Sequence, residues 1–150
     1  MLKYFNIRVY QIIFNEKREL LLSDEFIWSQ NFTKLPGGGL ELGEGIQDCI
    51  YREAMEEFGQ TVKIIDHFYT TEFFQESYGN PEKQLISIYY RTRFTEPPRF
   101  RISTIPYDYE SLEKGAQAFR WLPFDEIHPD IFQLPIDKVV AQLIVNKKPY

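Results

Sequence analysis

The chain has a single cysteine, Cys49, among 150 residues, so it can form no internal disulfide and is not a disulfide-stapled scaffold. Long apolar runs are also missing. No stretch reaches the roughly 20 residues that a membrane-crossing helix needs, and Met1 to Tyr10 lacks the apolar run of a secretory signal. These absences lead to the expectation of a cytoplasmic protein with no membrane partner. Basic residues are in the minority, 17 Lys and Arg against 22 Asp and Glu, which gives a net charge of -5. That field opposes general attraction to a nucleic-acid backbone, so no stable nucleic-acid complex is expected. Repeats, low-complexity tracts and a linker are absent as well, which points to one domain over residues 1-150.

What is present is an ordinary globular composition, 43% hydrophobic and 26% charged, with an aromatic share of 17% that favours strands. Val9 to Phe14 and Glu19 to Leu22 read as two strands joined by the polar turn Asn15 to Arg18. Leu35-Pro36-Gly37-Gly38-Gly39 reads as a tight loop, because its glycines allow positive φ and close backbone approach. From Ile46 to Phe58 the period becomes helical: Ile46, Ile50, Ala54 and Phe58 form one apolar stripe, Gly45 stands at the N-cap and Gly59 ends the helix. Val62 to Ile65 with Phe68 to Phe74 predicts a bent strand or two strands, and Leu85 to Phe94 another, with a turn at Gly79-Asn80-Pro81. Thr95 to Gln117 is read as a loop or lid around a weak strand at Phe100 to Ile102. Ala118 to Leu122 predicts a last strand, followed by a turn or short helix from Pro123 to Ile127 and a helix over Ile136 to Val145.

Chemistry concentrates between Gly38 and Gln60. Glu53, Glu56 and Glu57 are spaced i, i+3 and i+4, so at about 100° per residue their carboxylates leave the helix from one arc. Like charges this close repel, and a hard cation held by oxygen ligands relieves the repulsion; Mg²⁺ suits such a set. Arg52, four residues before Glu56, can pair with that carboxylate or hold it in position. A glutamate cluster alone is an ordinary solvated face, so the surrounding pattern decides the reading. Its seven fixed positions would coincide by chance with a probability on the order of 10⁻⁸ per start point at this chain's residue frequencies.

Gly38, Glu44, Arg52, Glu53, Glu56, Glu57 and Gly59 reproduce the Nudix box, G-x5-E-x7-R-E-U-x-E-E-x-G-U with U apolar. The chain thus resembles the Nudix hydrolase family in its MutT-like form. Ala54 satisfies the first apolar position, whereas Gln60 occupies the second and Gly45 replaces the Ser or Thr common after the first glutamate. The strand order around the box and the closing Phe119-Arg120-Trp121-Leu122-Pro123 run look like the same family. The resemblance implies an α/β chain with the Nudix fold, an α/β/α sandwich with a mixed β-sheet. It implies that Glu53, Glu56 and Glu57 bind Mg²⁺, or Mn²⁺ in its place, with the carbonyl of Gly37 or Gly38 as a further ligand and with Glu44 and Arg52 in support.

The implied activity is hydrolysis of a phosphoanhydride bond in a nucleoside diphosphate linked to a moiety X. Glu56 or Glu57 is the candidate base, with Asp108, Glu110 and Glu113 of the long loop as alternatives. A non-catalytic nucleotide-sensing domain and a diphosphate-ester isomerase are the competing readings. Tyr78, 18 residues beyond Gln60, resembles the tyrosine associated with dinucleoside polyphosphate hydrolases and is a weak substrate-binding candidate. Tyr69, Phe73, Phe74, Tyr89 and Tyr90 offer stacking surfaces for a base, although in alternating strands about half should be core. A homodimer is compatible with the sequence.

Overall fold

A computed structural model describes residues 1–113 and 115–150. In chain order the elements are β1 (Tyr4–Ile13), β2 (Glu19–Ile27), β3 (Gln30–Lys34), β4 (Gly37–Gly39), α1 (Ile46–Phe58), β5 (Val62–Thr70), β6 (Glu76–Ser77), β7 (Asn80–Phe94), β8 (Ile102–Ser103), β9 (Gln117–Pro123) and α2 (Pro135–Lys147). They gather into two compact units, Met1–Gln11 with Gly37–Pro98, and Ile12–Pro36 with Arg99–Tyr150. The expected mixture of helix and mixed sheet is observed, with the strands divided between two sheets. Among the described residues no helix is long and apolar enough to cross a membrane.

The first unit carries the order β4-β1-β7-β5, with β6 paired to β7. β1 and β7 run in the same direction: Lys3 N–H donates to Glu82 O near their starts, and Thr92 Oγ1 donates to Gln11 Oε1 near their ends. β4 and β5 pair antiparallel to them, so the sheet is mixed. The two candidate segments resolve into the single strand β5, which ends at Thr70 and leaves Thr71 to Phe74 outside it, and which bends at register shifts between Ile64 and Asp66 and between His67 and Tyr69. The helix α1 has the predicted bounds. Cys49 joins Ile50, Ala54 and Phe58 in its buried stripe, while Ile46 is half-buried. Gly59 closes the helix in the left-handed region at φ 62°, its N–H donating to Met55 O.

Several elements differ from the sequence-based expectation: β6 was not expected, β7 begins at Asn80 inside the expected turn, and the weak strand lies at Ile102–Ser103, not from Phe100. The glycine run is strand β4, not a loop, because β1 supplies a partner: Arg8, Val9 and Tyr10 face Gly39, Gly38 and Gly37. Strand β3 had no recognised signal. It follows β2 through the two-residue turn Trp28-Ser29, in which both residues have positive φ, 50° and 58°. That sign pattern is normally supplied by Asn-Gly or Asp-Gly, and neither dipeptide is present.

The second unit carries the order β3-β2-β9-β8, antiparallel except for the parallel β8–β9 pair. Its core draws on Leu20, Leu21 and Leu22 of β2, Phe119 of β9, and Ile136, Val140 and Ile144 of α2. A buried carboxylate organises its polar interior. Asp24, 1% exposed, accepts from Arg120 Nε at 2.7 Å, Thr33 Oγ1 at 3.0 Å and the Tyr107 N–H at 2.9 Å. The segment between β8 and β9 is thereby pinned through its backbone at Tyr107, not left as a free lid. Arg120→Ala is expected to destabilise the protein by about 3–5 kcal/mol, because it leaves a buried charge without its cation. Urea unfolding of Arg120→Ala beside Asp24→Asn/Arg120→Met checks this; a double variant less stable than the single one would contradict it.

Candidate active site

The glutamate helix packs against the glycine strand most tightly at Gly38. Gly38 carries no Cβ, and a Cβ built there would collide with Glu53 Oε1 and lie 2.8 Å from Oε2. The glycine thus makes room for a carboxylate against the backbone. Gly37 is constrained separately, with φ at +151° and no space for a Cβ beside the Val9 carbonyl oxygen.

Arg52 is the hub of the polar structure around this contact. Its Nε and Nη2 clasp Glu44 at 2.9 and 2.7 Å, and Nη2 also donates to Gly39 O at 2.9 Å. Nη1 donates to Glu53 Oε1 at 3.0 Å and to Glu56 Oε2 at 3.2 Å, with Glu41 Oε1 at 3.8 Å. Glu44 in turn accepts the Glu41 N–H at 2.9 Å, which shapes the turn before α1. The bidentate guanidinium and that backbone bond hold the Glu44 carboxyl down at about 2. Arg52 is correspondingly pushed up, first by its bond to Glu44. Glu53 behaves in the opposite way. Its side chain is 12% exposed, and burial raises its carboxyl above the usual range against the pull of Arg52. The nearby Cys49 thiol is pushed up to about 12, chiefly by burial, and is no nucleophile at neutral pH.

Four of the expected residues are therefore joined, and the i,i+4 pair of Arg52 with Glu56 is one bond among several. Glu44, Arg52, Glu53 and Glu56 form one network around a guanidinium. Glu56 is the open member, its side chain 58% exposed, and Glu57 is half-buried. The sequence reading missed Glu41, the Gly39 carbonyl and Arg8, whose Nη1 lies 3.8 Å from where a Gly39 Cβ would stand. Only strand register reveals Arg8, because it faces Gly39 across the β1–β4 ladder.

The other candidates are placed as follows. Tyr78 is exposed in the turn between β6 and β7, Phe73 and Phe74 are exposed, and Tyr89 is fully buried, stacked on Tyr10 with ring centroids 5.3 Å apart. In the second unit, Asp108 is held by Arg101 at 2.9 Å and Ser103 at 2.5 Å, and Glu110 lies 3.4 Å from Arg101.

The residues suit a hard divalent cation in two respects. Their donors are oxygens only, and Glu53 and Glu56 already converge on one positive nitrogen, Arg52 Nη1. Among the described residues, however, no three His, Cys, Asp or Glu side chains are gathered closely enough to hold a metal ion as they stand.

The sequence matches the NUDIX domain over residues 5–143. The chain belongs to the Nudix family. Among solved structures, the Nudix chain resembles a MutT protein from Methanosarcina mazei Go1 at a TM-score of 0.71 and 21% identity, covering 99% of this chain and 98% of that one. It resembles a Nudix hydrolase from Nitrosomonas europaea at 0.68 and 19%, covering 97% and 92%. A UDP-X diphosphatase is similar at 0.62 and 16%, covering all of this chain and 66% of that one. No curated protein gives a significant match. Family membership supports a pyrophosphohydrolase role in general.

Gly38→Ala tests the close approach of strand and helix. It is expected to cost about 1–3 kcal/mol, as overpacking does, and to displace Glu53. Gly43→Ala, where a Cβ meets nothing within 4 Å, strains only the backbone at φ +88°. Chemical unfolding of both variants checks this; a Gly38→Ala protein as stable as the parent would remove the steric account.

Proposed function

We propose that this Nudix protein is a Mg²⁺-dependent hydrolase that cuts the phosphoanhydride bond of a nucleoside diphosphate linked to a second moiety. The observation that carries the reading is the convergence of Glu53 and Glu56 on a single cationic nitrogen, beside a glycine strand that admits the Glu53 carboxylate. The likeness to a UDP-X diphosphatase supports this substrate class.

Glu53, Glu56 and Glu57 would hold the metal, with the Gly38 carbonyl as a further ligand and Mn²⁺ as a substitute. When bound, the ion supplies the positive charge that neutralises diphosphate oxygens and acidifies a water for in-line attack on phosphorus. The chain's own residues do the positioning. Arg52 fixes the Glu53 and Glu56 carboxylates from the helix side, and Glu44 holds Arg52 in turn through two hydrogen bonds. Either Glu56 or Glu57 accepts the proton of the attacking water.

Glu57→Gln is expected to lower turnover by about 10²–10⁴-fold, since the amide can neither take the proton nor match the charge of the ligand. The test is a panel of nucleoside triphosphates, nucleotide sugars and dinucleoside polyphosphates with Mg²⁺. Equal product from parent and variant, or none from the parent on any member, would sink the proposal; tight ligand binding without turnover would favour a sensing role.

A pH dependence follows from Glu53. Its carboxyl is raised by burial in the folded chain, so the protonated form is favoured there and the ionised form costs stability once the pH exceeds the unfolded value, fully above the folded one. A bound cation removes that cost. The rise in Tm on adding Mg²⁺ is therefore expected to grow from acidic to neutral pH and to be lost in Glu53→Gln. Thermal unfolding with and without Mg²⁺ across that range measures it, and a pH-independent rise would contradict the assignment.

A further inference from the structure

The helix α1 turns one of its carboxylates inward over the sheet. Glu57 lies seven residues beyond Ile50, and at about 100° per residue it returns to within about 20° of that fully buried side chain. Its neighbours on the helix mark where it falls. Glu53, one turn earlier, meets Gly38 of β4, and Phe58 packs edge-on against Phe94 of β7 with ring centroids 5.1 Å apart. β1 runs between those two strands, so the helix carries Glu57 across β1.

The strand presents a polar side chain there. Val9 pairs with Gly38, so the two share the face that α1 covers, and Gln11, two residues on, returns to it. Gln11 is 1% exposed, and its Oε1 accepts the Thr92 hydroxyl at 2.8 Å. Thr92 is itself buried on β7, two residues before Phe94. The other end of the amide, Nε2, has no hydrogen-bond partner among the described residues. A buried donor in that state is destabilising, and an apolar side chain like that of the nearby Val9 would fill the position without the cost.

The groups on either side decide which way the amide points. A threonine hydroxyl can donate or accept, so Thr92 admits either end, whereas a carboxylate takes only N–H. Nε2 is therefore the end suited to Glu57. An uncharged amide also leaves the negative charge of the carboxylate intact and engages one oxygen, which frees the other to hold a cation or take a proton. Arg52 restrains Glu53 and Glu56 from the helix side. Gln11 is placed to give Glu57 a matching restraint from the sheet side.

We propose that Gln11 is a positioning residue for Glu57: Nε2 donates to one carboxylate oxygen and aims the other at the cation and the attacking water. The consequence for turnover rests on the hydrolase reading, but the bond itself does not.

The test compares the full chain with Glu57→Ala, Gln11→Met and the double variant, with circular dichroism to verify folding. The side-chain amide protons of Gln11, assigned through bonds by NMR in the metal-free protein, are expected to shift in Glu57→Ala. That measurement leaves Gln11 unchanged, so it decides the contact even if Gln11→Met does not fold. Electron paramagnetic resonance of free Mn²⁺ is expected to show binding about tenfold weaker in Gln11→Met than in the parent. In the Glu57→Ala background the same substitution should change Mn²⁺ binding by less than about twofold, since Gln11 acts through that carboxylate. With a hydrolysed substrate at saturating Mg²⁺, kcat should fall about tenfold in Gln11→Met while KM stays within about twofold.

An amide unmoved by Glu57→Ala, parental Mn²⁺ binding in Gln11→Met, or an equal loss in both backgrounds overturns the proposal. Turnover lowered by Glu57→Gln but indifferent to Gln11→Met does so too, and leaves the hydrolase reading standing. A coupled amide and coupled Mn²⁺ binding without turnover of any panel member uphold the positioning of Glu57 and remove the hydrolase reading.

Discussion

Arg52 donates at once to a loop glutamate, a strand carbonyl and two glutamates of its own helix, and each bond restrains a different segment of the box. Glu44 fixes the turn before α1, Gly39 O fixes the end of β4, and Glu53 and Glu56 fix the helix face. A lysine offers a point charge on a flexible stem and could not satisfy these directions together, because the planar fork is what separates the Glu44 clasp from the helix contacts. The network also divides the carboxylates electrostatically. Glu44 is stabilised in its charged form, while Glu53, pressed against the glycine strand, has only one edge of the guanidinium to offset its burial. A carboxylate that pairs fully with protein is a support, and one left partly uncompensated attracts a further cation. The two roles therefore follow from how each group shares one side chain.

This arrangement depends on β4 being narrow. Glycine at positions 37 and 38 lets β4 approach both Tyr10 of β1 and Glu53 of α1, on opposite faces of the same short strand. The flexibility of three glycines would ordinarily weaken a strand. Pairing with β1 and the Arg52 bond to Gly39 O restrain the segment, so tertiary contacts stabilise what local propensity does not.

The helix and its glutamates were legible because their information is local: a period of 3.6, a terminating Gly59, and carboxylates at i, i+3 and i+4. What was not legible is tertiary or unusual in its local chemistry. Arg52 and Glu56 are neighbours by spacing, but the shortest bonds of Arg52 reach back to Glu44, eight residues earlier and outside the helix. The glycine run looked like a loop because its strand partner is 29 residues away, as Val9 and Gly38 illustrate. Strand β3 was hidden by the positive-φ pair Trp28-Ser29, residues that carry no turn signature. The clasp on Asp24 gathers Thr33, Tyr107 and Arg120 from three separate stretches of chain, so no window of sequence contains it.

The two departures from the box pattern are absorbed by specific contacts. Gly45 has no side chain with which to cap α1, yet Asp48 Oδ2 accepts the Gly45 N–H at 2.9 Å and places a negative charge in the first turn, where the helix dipole favours it. Gln60 is buried where an apolar residue is usual, at 5% exposure, and a buried amide without partners would be costly. Its Nε2 donates to Pro97 O at 3.2 Å, and a proline neighbourhood, short of N–H donors, leaves such a carbonyl open to a side-chain donor. The polar substitution thus ties the end of the box to the chain just beyond β7, replacing a non-directional packing contact with a directional one. Both departures lie at the ends of α1, and in both a hydrogen bond takes over the restraint that the usual side chain would have supplied, leaving the spacing of Glu53, Glu56 and Glu57 intact.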